Sequence, residues 1–337
     1  MSNQVLVTGA SGYIAMHCIL QLLEQNYRVR GTIRSLNREA GLREAFAKHI
    51  EFGDRLEFVE ADLLSDDGWD AAVSGCDYVL HTASPVPNAE PKDENEVIKP
   101  AVEGTLRVLK AAARAGVRRV VLTSSVAAIR AGNEESGRVL DEEDWSDTTR
   151  DIVAYNKSKT LAERAAWDFI EQHTTLELAT INPGMVIGPF LNSHFSPSIE
   201  TIRKLMNGSY PGCPRFGWSF VDVRDVAAAH IAAMTTPEAA GLRFCCINEF
   251  AWMQDLAKIL SAEFSGQGYK IPTRGLPDFA VRIAAIFDKT ARMVLPTLGV
   301  RVDFSNEQIR HVLKWQPRPL TESVIATGKS LIEFGIV

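Results

Sequence analysis

Thr8-Gly9-Ala10-Ser11-Gly12-Tyr13-Ile14-Ala15 decides the fold of this chain. Gln4 to Thr8, just before it, reads as a short apolar strand that ends at a glycine. After Gly12 the period changes. Ile14, Cys18, Leu22 and Leu23 fall on one helical face that runs to Asn26. Gly9 permits the tight turn between them, and Gly12 lets backbone approach a pyrophosphate. The small Ala15 permits close helix–strand packing. The helix start then offers unpaired N–H groups and partial positive charge to phosphate. The spacing is Gly-x-x-Gly-x-x-Ala, a variant of the simplest dinucleotide fingerprint. Thr8, Gly9, Ser11, Gly12, Tyr13 and Ile14 are the cofactor-binding candidates of this turn.

Working outward, strands and helices alternate. Arg28 to Ile33, Leu56 to Glu60, Tyr78 to His81, Arg119 to Thr123 and Leu176 to Asn182 read as strands. Arg38 to Ile50, Asn95 to Ala115 and Val153 to Gln172 read as helices. Val120-Val121-Leu122 is a continuous apolar run of the kind buried on both faces of a parallel sheet. The alternation predicts an α/β fold, a doubly wound parallel sheet with right-handed crossovers. Past Asn182, prolines and glycines from Pro183 to Gly217 break the rhythm. Helical patterns resume at Asp225 to Met234 and Trp252 to Phe264. The expected division is a Rossmann domain over 1–182, with returning segments near 217–236. Residues 183–216 and 237–337 are expected to form mainly a smaller, loop-rich substrate-binding lobe over the carboxyl ends of the strands.

The end of the second strand distinguishes cofactors. An acid there would accept from the 2′-hydroxyl of NAD. This chain has Arg34 instead, with Arg38 and Arg43 close behind. Guanidinium groups pair with phosphate in a bidentate way. NADPH is therefore the expected cofactor. Asp62-Leu63 ends the third strand, where Asp62 either accepts from the adenine amino group or caps the next turn.

Tyr155 and Lys159 stand at i and i+4, on one helical face. A free phenol titrates near pH 10, and a neighbouring ammonium is expected to lower that value toward neutrality. The pair thus suits proton transfer. Lys157, at i+2, points elsewhere and is expected to be solvated. Ser124-Ser125 follows the fifth strand at its carboxyl end. One hydroxyl there is expected to support negative charge growing on a substrate oxygen, and the other to satisfy loop backbone. The residues alone leave open which is which.

Composition excludes other classes. Lys and Arg total 36 against 42 Asp and Glu, a net charge of -6 with signs interspersed. Neither nucleic acid nor a membrane is an expected partner. Five cysteines show no zinc-site spacing and read as reduced thiols. No metal site, secretory leader or membrane-spanning run is expected, and a cytoplasmic location follows.

The chain resembles the extended short-chain dehydrogenase/reductases, in the branch of dihydroflavonol, cinnamoyl-CoA and carbonyl reductases. The residues that carry the likeness include Val-Arg-Gly-Thr-Ile-Arg at 29–34, His-Thr-Ala-Ser-Pro at 81–85 and Thr-Ser-Ser at 123–125. Ile-Asn-Pro-Gly-Met-Val-Ile-Gly-Pro at 181–189 and Val-Asp-Val-Arg-Asp-Val at 221–226 extend it. The resemblance implies that Ser125, Tyr155 and Lys159 are catalytic, with Tyr155 the proton donor and Lys159 also on the nicotinamide ribose. It implies that Arg34 holds the 2′-phosphate. Arg38, Thr82, Ala83, Ser84 and Thr123, with Pro183, Gly184, Met185 and Val186, are further cofactor-lining candidates. Ser84, Val86, Ser125, Phe190, Tyr210 and Trp218 are candidates to meet a small carbonyl or alcohol substrate, with Phe216 and Phe220 nearby. Two departures argue against the plant substrates. Val126-Ala127-Ala128-Ile129 replaces a segment that carries an asparagine, and Asp151-Ile152-Val153-Ala154 precedes the tyrosine. An apolar pocket for a hydrophobic aldehyde or ketone is expected instead. The competing readings are a sugar-nucleotide epimerase or dehydratase with tightly held NAD, and a non-catalytic NADP-binding redox sensor. The protein is expected to be a monomer or a homodimer, related epimerases pairing through the two long helices.

Overall fold

The computed structural model describes residues 4–85, 91–134, 137–193, 196–287 and 295–337. The first half alternates as the sequence pattern dictates: β1 (Gln4–Val7), α1 (Tyr13–Glu24), β2 (Arg28–Ile33), α2 (Glu39–Ala47), β3 (Leu56–Glu60), α3 (Trp69–Val73) and β4 (Tyr78–His81). There follow α4 (Asn95–Ala115), β5 (Arg119–Thr123), α5 (Ala127–Arg130), α6 (Ala154–Glu171), β6 (Glu177–Pro183) and β7 (Met185–Ile187). The remainder comprises α7 (Glu200–Met206), β8 (Gly217–Asp222), α8 (Val223–Thr235), β9 (Arg243–Cys246) and β10 (Glu249–Trp252). It closes with α9 (Met253–Phe264), α10 (Asp278–Phe287), α11 (Glu307–Val312) and α12 (Leu320–Glu333).

The main sheet has the order β3-β2-β1-β4-β5-β6-β9, and every neighbouring pair is parallel. The chain winds one way from β1 to β3, then returns to the other side of β1 at β4. At the carboxyl edge Val7 lies between Gly31 and Leu80. This reversal opens a crevice beyond the ends of β1 and β4. Apolar runs such as Val120-Val121-Leu122 are buried on both faces because helices cover both sides. Arg119, among the most buried side chains, fixes the opposite edge. It pairs with Glu177 at 2.7 Å and donates to the carbonyls of Ala233 and Thr236 at 2.7 and 2.5 Å, holding the end of α8.

Two expectations about boundaries are revised. The helix expected over 38–50 is a 3-10 turn, Leu36–Arg38, followed by α2, which stops at Ala47. Residues 243–246, expected in the lobe, form β9 of the main sheet, hydrogen-bonded beside β6. The apolar run at Cys245-Cys246 reads as strand core, but a four-residue run carries no sign of which sheet it joins. A second sheet, β10-β8-β7, lies beyond β6. Gly184 makes that step possible, since a Cβ there would sit 2.2 Å from the Ser219 carbonyl oxygen. Ile187, Phe220, Leu256, Leu260, Phe264 and Val324 pack a core under this sheet. Among the described residues no helix is long and apolar enough to cross a membrane, and all five cysteines are buried and unpaired.

Gly9 is the sharpest local constraint. Its φ is +67°, and a Cβ would lie 3.0 Å from Ala83 Cβ on the β4 side of the crevice. An L-residue in that conformation costs roughly 1–2 kcal/mol before any clash. Gly9→Ala is expected to lower the melting temperature and to weaken dinucleotide binding together. Unchanged values of both, by calorimetry and by titration, would contradict this reading of the turn.

Candidate active site

The crevice at the strand reversal is a cavity of about 1040 Å³. One end is framed by the glycine turn, with Gly9, Ser11, Gly12, Tyr13 and Ile14 on its wall. No side chain caps α1, and no acid stands in its first turn. Its first amides are thus free of both partners and repulsive charge, the arrangement that receives phosphate. The Tyr13 phenol is turned away, donating to the Gly188 carbonyl at 2.8 Å. Arg34 is exposed on the wall at the end of β2. Asp62 and Leu63 line it as well, and Asp62 Oδ1 accepts the Leu64 amide at 3.0 Å, the capping alternative. Thr82, Ala83, Ser84 and Thr123 continue the wall toward Pro183, Gly184, Met185 and Val186.

Thr8 and Arg43 are committed to other partners, and Arg38 is placed off the cavity wall. Thr8 is fully buried behind the wall. Its hydroxyl meets His81 Nδ1 at 2.8 Å and accepts the Ala83 amide at 3.0 Å, so it fixes the crevice rim without facing it. Arg38 lies outside the cavity, because the 3-10 turn carries it onto the start of α2. Arg43 is bound to Glu39 at 2.7 Å and to the Leu56 carbonyl at 3.0 Å. Of the three arginines near the β2 end, only Arg34 faces the cavity.

At the other end Ser125, Tyr155 and Lys159 converge. The structure separates the two serines that the residues alone left open. Ser124 is buried and donates to Glu163 Oε2 at 2.5 Å. Ser125 lies on the cavity wall, accepts the Ala127 amide at 3.1 Å and hydrogen-bonds the Tyr155 phenol. Burial raises the Tyr155 phenol above its usual value, while the bond to Ser125 acts in the opposite direction. That corrects the expected depression: desolvation outweighs the favourable contacts around the hydroxyl. Lys159 Nζ donates to Ser84 Oγ at 3.0 Å and stands 6.0 Å from the Tyr155 ring centre. Burial lowers Lys159 to about 8, opposed by the Glu163 charge. Lys157, expected to be solvated, instead pairs with Glu94 at 2.8 Å, tying α6 to the start of α4.

Glu163, one turn beyond Lys159, was not singled out by the sequence pattern. Besides Ser124, it accepts from Thr180 Oγ1 at 3.0 Å, Asn182 Nδ2 at 2.8 Å and Arg243 Nε at 2.7 Å. Asn182 also donates to the Ser125 carbonyl at 3.3 Å. Arg243 in turn lies 3.7 Å over the Trp145 ring. The clue available in the sequence was the i+4 spacing from Lys159; the partners come from three distant segments.

Of the substrate candidates, Ser84, Ser125 and Trp218 line the cavity, with Trp218 packed edge-on to Phe216 at 3.7 Å. Phe190 does not: it is buried in the lobe core, stacked on Phe334 at 5.3 Å. Tyr210 also lies outside, half-buried beside that core with the Lys204 ammonium 6.0 Å from its ring. Phe216 is off the wall and Phe220 is core. Val86 lies outside the described residues. The wall includes Val126 and Ala127, from the apolar segment that follows Ser125, and also Arg130 and Asn156, to which the sequence reading assigned no role.

Residues 5–243 match the family model described as the NAD dependent epimerase/dehydratase family. The chain belongs to this family, the extended short-chain dehydrogenase/reductases. It is 37% identical to cinnamoyl-CoA reductase 1 of Petunia hybrida, over 99% of this chain and 94% of that protein. It is 36% identical to the bifunctional dihydroflavonol 4-reductase/flavanone 4-reductase of Malus domestica, over 81% of this chain and 79% of that protein. Among solved structures it resembles yeast methylglyoxal/isovaleraldehyde reductase Gre2 complexed with NADPH. The TM-score is 0.82 at 30% identity, over 98% of this chain and 99% of that one.

The buried ammonium has a measurable consequence. Lys159 has a folded pKa of about 8 against an ordinary 10.5, so its charged form is the disfavoured one. Below pH 8 both folded and unfolded chains hold the proton, and the folded chain bears the desolvation cost. Between about 8 and 10.5 the unfolded chain binds more protons, and stability from this group rises with pH. Lys159→Met is therefore expected to melt higher than the parent at pH 7, with the gap closing as pH climbs through that window. A variant that melts lower at pH 7 would contradict the assignment.

Proposed function

We propose that this protein reduces a hydrophobic aldehyde or ketone to the alcohol, with NADPH as cofactor and Tyr155 as proton donor. It is an NADP-dependent oxidoreductase. The observation that carries the reading is the division of labour at Ser124-Ser125. Ser124 is committed to Glu163, while Ser125 shares the cavity with Tyr155 and Lys159.

The wall suits the cofactor. The uncapped start of α1 and the close approach at Gly9 would take the pyrophosphate, and Arg34 would take the 2′-phosphate. Bound NADPH supplies the hydride received by the carbonyl carbon. The chain's own residues handle the oxygen. Ser125 and Tyr155 donate hydrogen bonds to it as negative charge grows, and Tyr155 passes over its proton. Lys159 stabilises the phenolate left behind, and a group titrating near 8 exchanges its proton readily at working pH. Val126, Ala127, Met185 and Trp218 give the substrate end its apolar surface. A cytoplasmic location belongs to the same reading, supported by five unpaired buried thiols.

Two sets of measurements test this. In single-turnover reduction with NADPH, Tyr155→Phe is expected to bind cofactor normally and to lose about 10²- to 10⁴-fold in rate. Ser125→Ala is expected to lose about 10²- to 10³-fold. Ser124→Ala should change the rate less and the melting temperature more, because it strips a partner from a buried carboxylate. Tyr155→Phe at the parental rate would overturn the assignment.

The cofactor preference is separable. Arg34→Ala is expected to weaken NADPH binding about ten- to a hundredfold, the worth of a charged hydrogen bond, and to leave NADH binding unchanged. Equal affinities of the parent for both cofactors would contradict the role of Arg34.

A further inference from the structure

Arg130 ends α5, the short helix that begins just past Ser125. Its amide donates to the Val126 carbonyl at 2.9 Å, and Ser125 Oγ accepts the Ala127 amide at 3.1 Å. Val126, Ala127 and Arg130 all lie on the cavity wall, at the i, i+1 and i+4 positions of this turn. Helical Cα–Cβ bonds tilt toward the amino terminus, so a long side chain at Arg130 leans back toward Ser125.

The guanidinium is poorly compensated where it sits. Its side chain is 23% exposed, and its Nε is buried with no hydrogen-bond partner among the described residues. Among the described residues the nearest carboxylate is that of Glu134, whose Oε1 lies 3.9 Å from that Nε, beyond hydrogen bonding. The other Glu134 oxygen accepts the Gly132 amide at 2.7 Å. Burial lowers the Arg130 pKa, and the Glu134 charge opposes this. The guanidinium is half-buried, and among the described residues no hydrogen bond commits its donors, so an anion entering the cavity can pair with it. Val126, Ala127 and Trp218 give the same cavity apolar surface. An apolar wall with one fork-shaped cation suits a substrate that is mostly hydrocarbon and carries one planar anionic group.

Resting on the reductase reading above, we propose that Arg130 is a specificity-determining residue that binds the carboxylate of an oxo acid whose ketone or aldehyde is reduced at Ser125 and Tyr155. From Ser125 to Arg130 the helix rises by roughly 7 Å, at about 1.5 Å per residue, and the side chain leans back over part of that. The carboxylate thus lies a few bonds from the reacting carbon. A bidentate guanidinium–carboxylate pair fixes the substrate's orientation as well as its affinity.

The test compares laevulinate with its methyl ester, identical except for the charge. The parent is expected to favour the acid in kcat/KM. Arg130→Gln is expected to cut the acid-to-ester ratio about ten- to a hundredfold, mainly through KM for the acid. Arg130→Lys, which keeps the charge and loses the fork, should recover part of it. Glu134→Gln should leave the ratio as it was. An unchanged ratio in Arg130→Gln overturns the proposal while leaving the reductase reading intact. A matching loss on both compounds, with weaker NADPH binding, would make Arg130 a cofactor contact and also overturn it. If neither compound turns over, pentanoate decides through the fluorescence of protein-bound NADPH. Quenching in the parent that is lost in Arg130→Gln supports carboxylate binding, and no quenching in the parent overturns it. Failure of the reductase reading would show separately, as no NADPH oxidation with any aldehyde or ketone.

Discussion

The buried carboxylate of Glu163 is the interaction on which the site depends. It is screened from water and surrounded by donors from the turn after β5 and from β6 and β9: Ser124, Thr180, Asn182 and Arg243. A charge in that position is tolerable only with such a complete shell. Removing one partner of a buried ion pair of this kind costs about 3–5 kcal/mol. The demand is structural, and the consequence is functional. By claiming Ser124, Glu163 leaves Ser125 as the hydroxyl facing Tyr155. Through Asn182 it also grips the Ser125 carbonyl. Being one turn from Lys159, it places negative charge where it partly offsets the cost of burying that ammonium.

The sheet supplies the second constraint. The reversal between β1 and β4 creates the crevice, and Thr8 and His81 clamp its rim from behind at 2.8 Å. Gly9 then brings the turn up against Ala83. The wall carries three cations at separate stations: Arg34 at the β2 end, Lys159 beside Tyr155, and Arg130 past Ser125. In a partly desolvated cavity such charges act more strongly than on an open surface. Net charge gives no hint of this, since the chain as a whole is acidic.

Much of the fold was legible because its signals are local. Runs such as Arg28 to Ile33 and Tyr78 to His81, and the long pattern from Asn95 to Ala115, coincide with β2, β4 and α4. What was hidden depends on contacts between distant residues. The apolar run at Cys245-Cys246 reads as strand core, and only its pairing with β6 puts β9 in the main sheet. Phe190 and Trp218 are alike in sequence, both large aromatics in one loop-rich stretch. Only packing sends Phe190 into the lobe core and leaves Trp218 on the wall. The depressed phenol expected from the Tyr155–Lys159 spacing fails for the same reason, because spacing reports proximity and says nothing of desolvation. Arg130 carries no sequence signal of its own, because the apolar run Val126-Ala127-Ala128-Ile129 ends just before it and its place on the wall comes from the turn of α5.

The chemistry proposed for this crevice is hydride transfer from a nicotinamide to a carbonyl carbon, with net reduction. Isotope transfer tests it most directly. With NADPH carrying deuterium at both C4 positions and a hydrophobic aldehyde as substrate, the expected product is an alcohol with deuterium on the carbinol carbon, one label per cofactor oxidised. Turnover that leaves the cofactor reduced, or an alcohol without the label, would contradict it.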